Sequence, residues 1–328
     1  PMSEIRKFYV IFLFNTVSSY FVTYKTSYVT ALQKDYIVTN ATTLGTVVTN
    51  ILQIILLLLG GTYLEYLLIA AFIGLVQKIV TVYYLNNKFP ILKERNVKKL
   101  DDKTRQDIWK NVKALIIHKI GDVSVNQTDN IIISVFVSTT AVGLLSNYTT
   151  LNTLVSTFTN KLLGSFTASF GNLLVKENLE KQRKIFDVYD LLGFWVYGFV
   201  LIAFVTLSQP FITLWLGEDL LLDDTTVILY FASLYFAGMT FMTYNFKVAA
   251  GKFNEDKWVA FAQAIINLVV SVAAIKLIGL PGIFVGTIVS RMLVVIVRPY
   301  IVFKYVLYMN PSTYYIRLIW RSLVAFLL

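Results

Sequence analysis

The sequence predicts an all-α polytopic membrane protein with nine full transmembrane helices and the start of a tenth. Hydrophobic residues make up 56% of the 328 residues and charged residues 15%, and the mean hydropathy is +0.66. Soluble domains carry about 25% charged residues, so this chain has too little polar surface to be a soluble domain. The apolar residues form runs of roughly 20 residues, the length that crosses a bilayer. Lys and Arg concentrate in every second loop between those runs.

Three spans precede the longest loop. They cover residues 7–32, 38–59 and 63–85. Lys34 interrupts the apolar pattern between the first two spans, and Gly60, Gly61 and Thr62 form a short turn before the third.

Six spans and the start of another follow that loop. The six cover residues 112–137, 141–172, 188–216, 225–250, 257–278 and 281–306, and the additional one starts near Tyr314. The breaks fall at the polar stretch 138–140, the basic stretch 176–184, the acidic stretch 217–224, the basic stretch 247–257 and Pro281. The chain opens with Pro1 and ends within an apolar run, which we interpret as an internal fragment of a longer protein.

The distribution of charge predicts the orientation in the membrane. The long loop and its flanks are strongly basic, with Lys88, Lys93, Arg95, Lys98, Lys99, Lys103, Arg105, Lys110 and Lys113. The alternate loops carry few basic residues. Because cytoplasmic loops of membrane proteins are enriched in Lys and Arg, we expect a multi-pass protein of the cytoplasmic membrane with its basic loops in the cytoplasm. The net charge of +10 then needs no nucleic acid as a partner.

The composition argues against an enzyme and against a metal site. The chain has no cysteine and a single histidine, His118, so thiolate and polyhistidine metal sites are excluded. No phosphate-binding glycine loop is visible, and the longest outside loop, 217–224, is too short to hold an active site. We expect neither catalytic residues nor a cofactor.

Polar residues recur at helical spacing inside the predicted spans. Two of the stripes contain the cavity candidates Asn152 and Asn267. The stripes comprise Asn15, Ser18 and Ser19; Thr42, Thr46, Thr49 and Gln53; Asn152, Ser156, Thr159 and Asn160; and Gln263, Asn267 and Ser271. One such stripe is explained by interhelical hydrogen bonds, but four together favour a hydrated central cavity.

Charged residues inside the spans are the sharper functional signal. Lys119, Asp122, Asn126 and Asp129 are spaced by three, four and three residues, so they share one helix face. Asp122 and Arg291 both lie about ten residues into their spans, near the midplane. One interpretation is a structural ion pair. The other is that Arg291 and Lys119, with Asn126, line a cavity that attracts an anion, while Asp122 or Asp129 binds a coupling ion.

Several short stretches resemble one known family. They are TDNIIISVFVS at 128–138, VGLLSNY at 142–148, SFGNL at 169–173, PFITLWLG at 210–217 and GTIVSR at 286–291. In these stretches and in helix order the chain resembles the polysaccharide flippases of the multidrug/oligosaccharidyl-lipid/polysaccharide exporter superfamily.

The resemblance implies two lobes of six helices around a central cavity. Residues 1–87 would then be the second half of the N-terminal lobe and residues 88–111 a cytoplasmic loop between the lobes. Residues 112–307 would form the C-terminal six-helix lobe, and residues 308–328 would begin an additional helix.

The resemblance also implies a substrate, an undecaprenyl-diphosphate-linked oligosaccharide flipped from the inner to the outer leaflet for surface polysaccharide biosynthesis. The implied partners are membrane lipids and a polysaccharide polymerase with other assembly proteins. Two alternatives stay open: a cation-coupled multidrug exporter of the same superfamily, and a membrane polysaccharide polymerase.

Overall fold

The computed structural model describes residues 2–32, 34–94, 100–109, 112, 113, 116, 119, 128–252, 255 and 257–327. These residues form helices and no strand. They belong to two compact units, residues 1–100 and residues 101–328.

The first unit consists of three consecutive helices. Its helices are α1 (Met2–Ala31), α2 (Tyr36–Leu58) and α3 (Tyr63–Lys88), followed by a 3₁₀ turn at Pro90–Lys93. Between α2 and α3 the backbone turns at Gly60, which has a φ of 79°, a conformation that glycine adopts without strain. The side chain of Thr62 accepts a hydrogen bond from the backbone N–H of Glu65, and the Glu65 carboxylate accepts one from Thr62 N–H. This capping box fixes the start of α3.

Two lysines tie α3 to α1. The ammonium of Lys78 donates to Oδ1 of Asn15 at 2.8 Å and to Oγ of Ser18 at 2.8 Å. Lys25, which is buried, donates to Oδ1 of Asn86 at 2.5 Å. Neutral oxygens therefore solvate both ammonium groups, which lowers the cost of placing them inside apolar helices.

The second unit contains eight longer helices and a helical stretch at 102–109. The helices are α4 (Thr128–Phe136), α5 (Thr139–Gly164), α6 (Thr167–Lys176), α7 (Leu179–Leu216), α8 (Asp224–Ala249), α9 (Lys257–Ile278), α10 (Pro281–Tyr305) and α11 (Ser312–Leu327). A 3₁₀ turn at Glu218–Leu220 lies between α7 and α8.

Two predicted spans differ most from the helices of the structure. The predicted span 141–172 is two helices, because the helix ends at Gly164 and a new one begins at Thr167. Gly–Ser pairs are common points of helix interruption, and Ser165 follows Gly164 here. Helix α7 begins nine residues earlier than the predicted 188, where the side chain of Asn178 accepts a hydrogen bond from Lys181 N–H. That segment is charged, so hydropathy does not reveal it.

Helix α8 lies at the centre of the second unit. It packs against α7 on one side and α10 on the other, and its buried residues include Phe231, Tyr235 and Phe246. Helices α9 and α10 approach closely where a Cβ on Gly286 would lie 2.2 Å from Oγ of Ser271. Small residues allow such close contact between apolar helices.

Six of the described helices are long and apolar enough to cross a membrane: α2, α3, α7, α8, α9 and α10. Helices α1 and α5 have 30 and 26 residues but are too polar to join that set. The predicted span 112–137 is described as a helix only over Thr128–Phe136. The predicted number of nine spans and the start of a tenth is not confirmed.

Candidate functional site

Four of the seven predicted site residues lie in one polar cluster of the second unit. They are Asp129 on α4, Asn152 on α5, Asn267 on α9 and Arg291 on α10, and the contacts described below connect them. Lys119 is at an exposed position. The predicted site residues Asp122 and Asn126 lie outside the described residues.

A chain of polar side chains crosses from α9 to α4. The amide of Asn267 donates to the hydroxyl of Thr287 at 3.1 Å. That hydroxyl lies 3.3 Å from Oδ2 of Asp129 and 3.1 Å from the carbonyl oxygen of Ile283, and can donate to either. Asn267 is fully buried and Thr287 is 2% exposed. The close packing at Gly286 brings α9 and α10 near enough for this chain to form.

Both ends of this chain carry an acceptor without a donor. Oδ1 of Asp129 and Oδ1 of Asn267 are buried and have no hydrogen-bond partner among the described residues. Buried polar atoms are usually paired, and an exception invites a functional explanation. A carboxylate, an amide and a hydroxyl oxygen suit a small hard cation, which prefers oxygen ligands. No cluster of three His, Cys, Asp or Glu side chains occurs among the described residues.

Arg291 lies beside this group. Its guanidinium donates through Nη1 to the backbone carbonyl of Ser233 on α8. It is close enough to Asp129 and to Tyr230 for electrostatic interaction with both. The hydroxyl of Tyr230 in turn lies 3.5 Å from Thr149 Oγ1 and within hydrogen-bonding reach of Asn152. Tyr230 therefore connects the guanidinium of Arg291 to the polar face of α5.

That face of α5 lines a cavity of about 240 Å³. The predicted stripe Asn152, Ser156, Thr159 and Asn160 contributes all four of its residues to the lining. Ser156 donates to Oδ1 of Asn152 at 2.8 Å. The opposite wall comes from α7 and α8 and combines small and aliphatic residues with four aromatic ones, Tyr197, Phe231, Tyr235 and Phe241. The cavity thus presents amides and hydroxyls on one side and aromatic rings on the other.

Sequence reasoning missed the residues that connect the cluster. Tyr230, Ser233 and Tyr197 stand within apolar runs and have no distinguishing pattern. Gly238 offered one signal, since a glycine inside a helix often marks a close approach. The ring of Tyr197 packs directly over it, and a Cβ there would lie 2.2 Å from Cδ1 of that ring.

A crystal structure of MATE in the bent conformation is similar to this chain, with a TM-score of 0.65 over 89% of the chain. The chain has the MATE fold. The two sequences are 13% identical, and the chain spans 66% of the length of that protein. Neither a family model nor a curated protein sequence matches this chain. Six apolar helices of spanning length in this fold make the chain a multi-pass membrane protein.

Proposed function

We propose that the protein is a membrane transporter that flips an undecaprenyl-diphosphate-linked oligosaccharide from the inner to the outer leaflet. The MATE fold supports a transporter in preference to an enzyme such as a polysaccharide polymerase. The observation that carries the substrate proposal is the cavity with a polar wall on α5 and an aromatic wall on α7 and α8. Arg291 does not line this cavity but is connected to its Asn152 through Tyr230.

The two walls match the two surfaces of a sugar. Sugar hydroxyls need hydrogen-bond donors and acceptors, which Asn152, Ser156 and Asn160 supply. The apolar C–H face of a sugar ring packs against aromatic rings, and Tyr197 and Tyr235 offer such surfaces. A ligand site usually combines a largely apolar lining with a few precisely placed polar groups.

Arg291 would attract the diphosphate. A charged headgroup cannot cross hydrocarbon unaided, because burying an unpaired charge is very costly. A planar guanidinium binds phosphate oxygens bidentately, and only one of its donors is engaged by Ser233 in the contacts above. Lys119, Asn126 and Asn267 are proposed as further contacts of the anion, the first two because their sequence spacing predicts one helix face shared with Asp129.

Ion coupling would use Asp129. Its unpaired Oδ1 would be the first ligand of the cation. The hydroxyl of Thr287 and the unpaired Oδ1 of Asn267 are proposed as further ligands. Binding that cation would compete with the attraction between Asp129 and Arg291, so occupancy of the two sites would be linked. Asp122 is the second coupling candidate, because its sequence spacing predicts the same helix face as Asp129.

In the cell we place the protein in the cytoplasmic membrane, with its basic loops in the cytoplasm. Membrane lipids surround it, and the polymerase that consumes the flipped repeat units is its expected assembly partner.

A cation-coupled multidrug exporter is the second candidate. The aromatic wall of Tyr197, Phe231, Tyr235 and Phe241 favours it, because aromatic faces bind organic cations. The positively charged guanidinium of Arg291 opposes it, since like charges repel.

The leaflet position of lipid-linked oligosaccharide tests the proposal. In cells that lack the full-length gene, we expect repeat units to accumulate on the cytoplasmic leaflet and surface polymer to be lost. Complementation with Arg291→Lys should restore part of the export, whereas Arg291→Ala should restore little. Accumulation on the outer leaflet would instead indicate a polymerase. Unchanged oligosaccharide with new drug sensitivity would indicate the exporter.

A further inference from the structure

Helix α11 lies outside the predicted six-helix lobe, yet it is firmly attached to the cavity wall. Nη1 of Arg321 donates to Oδ2 of Asp190 on α7 at 2.5 Å, and the two side chains are only 16% and 6% exposed. Nη2 of Arg317 donates to Oδ1 of Asp187, one turn away on α7, at 2.7 Å. Two ion pairs along one helix face fix both the rotation and the height of α11 against α7.

The neighbouring face of α11, which carries Ser322 and Phe326, reaches Tyr235 of the aromatic wall. The hydroxyls of Tyr235 and Ser322 are 3.2 Å apart. The ring of Phe326 meets the Tyr235 ring edge-on, with centroids 5.6 Å apart. Tyr235 lines the cavity and is 2% exposed, so its ring forms the wall while its hydroxyl points towards α11.

We propose that α11 sets the shape of the cavity through Tyr235, with Ser322 and Arg321 as positioning residues. Ser322 fixes the hydroxyl end of the tyrosine. Arg321 neighbours Ser322 in the chain, and its pair with Asp190 prevents the turn of α11 that would withdraw that hydroxyl. A tyrosine that is held both at its ring and at its hydroxyl keeps one orientation. Loss of either contact should therefore change access to the cavity and the fit of its occupant.

Thiol accessibility measures the cavity without a substrate. Residues 1–328 contain no cysteine, so Ser156→Cys introduces the single thiol of this part of the protein into the polar wall opposite Tyr235, and any cysteine outside it is first replaced by serine. In the full-length protein in nanodiscs, we expect Ser322→Ala and Tyr235→Phe each to change the rate of modification of that thiol by a charged methanethiosulfonate reagent by about fivefold. That factor corresponds to a hydrogen bond of about 1 kcal/mol.

The double variant decides whether Ser322 acts through Tyr235. If it does, Ser322→Ala combined with Tyr235→Phe should give the same rate as either single variant, since both remove one interaction. Ser322→Thr retains a hydroxyl and should restore the original rate. Ser208→Ala is the matched control, because Ser208 is buried in α7 and its hydroxyl has no partner among the described residues; its rate should stay unchanged.

A second measurement, of transport kinetics, rests on the proposed function, whereas the thiol measurement does not. For the lipid-linked oligosaccharide purified from the same cells, we expect Ser322→Ala to raise KM about fivefold with little change in kcat. Additive effects of Ser322→Ala and Tyr235→Phe on the thiol, or no effect, would overturn the positioning role even if transport is confirmed. Changed thiol rates without binding of the oligosaccharide would support the positioning role and count against the proposed substrate.

Discussion

The hydroxyl of Thr287 lies 3.3 Å from one carboxylate oxygen of Asp129, whereas the other oxygen of that carboxylate is buried without a donor among the described residues. Asn267, on the far side of Thr287, presents a second oxygen in the same condition. Burying an acceptor without a donor costs about 1–3 kcal/mol. A bound cation would offset that cost, which is why we place ion coupling here.

Asp129→Asn tests this coupling. The amide retains the shape of the carboxylate but loses its charge, so we expect cation-driven transport to fall at least tenfold while the protein still folds. The measurement is uptake into proteoliposomes of the full-length protein, driven separately by a sodium gradient and by a proton gradient.

Variants of Thr287 serve as controls in the same assay. Thr287→Ser retains the hydroxyl and should leave the ion dependence intact, whereas Thr287→Val should weaken it. If Asp129→Asn responds to the effective gradient as the original protein does, Asp129 is not the coupling residue.

The polar half of the site could be predicted from the sequence. Helical spacing alone placed Asn152, Ser156, Thr159 and Asn160 on one face, because the α-helix has a fixed period. The structure assigns all four to one cavity. The functional importance of that cavity stays a prediction.

The connecting half could not be predicted from the sequence. Arg291 meets the carbonyl of Ser233, and every residue has a carbonyl, so no residue type marks that contact. Tyr230 and Tyr235 lie in an apolar run in which aromatic side chains are ordinary. Only the packing of α8 between α7 and α10 determines which of them turns a hydroxyl towards α5 and which towards α11.

Gly286→Ala tests the packing that assembles the site. A Cβ at this position would lie 2.2 Å from Oγ and 2.5 Å from the backbone nitrogen of Ser271, so α9 and α10 must separate. Overpacking of this kind costs about 1–3 kcal/mol, and we expect a lower Tm in detergent.

Gly143→Ala is the matched control for this substitution. Gly143 is in α5, and a Cβ there would have no neighbour within 4 Å. Alanine is about 1 kcal/mol better than glycine in a helix interior, so the Tm of this variant should be unchanged or raised. Equal Tm values for the two variants would contradict the close contact between α9 and α10.

The two ion pairs of α11 should differ in their contribution to stability. Arg321→Ala leaves the buried carboxylate of Asp190 unpaired and should destabilise the protein by about 3–5 kcal/mol. Arg317→Ala breaks a pair whose side chains are 35% and 44% exposed, so we expect a loss of about 1 kcal/mol or less. Thermal unfolding of both variants measures the difference. If Arg317→Ala destabilised the protein more than Arg321→Ala, the carboxylate of Asp190 would have to be in contact with water, which contradicts its burial.

Asn152→Leu distinguishes a saccharide from a drug as the occupant of the cavity. The substitution removes an amide from the polar wall and enlarges the apolar surface opposite the aromatic rings. A site that hydrogen-bonds its ligand loses affinity sharply when a polar partner is removed. We therefore expect the affinity for the purified lipid-linked oligosaccharide to fall at least tenfold, and the affinity for a fluorescent aromatic cation such as ethidium to stay equal or rise.

Tyr197→Ala removes a ring from the aromatic wall and should lower the affinity for both ligands, whereas Tyr197→Phe retains the ring and should preserve both affinities within about threefold. Retained oligosaccharide affinity in Asn152→Leu would exclude the polar wall as the sugar site and favour the exporter.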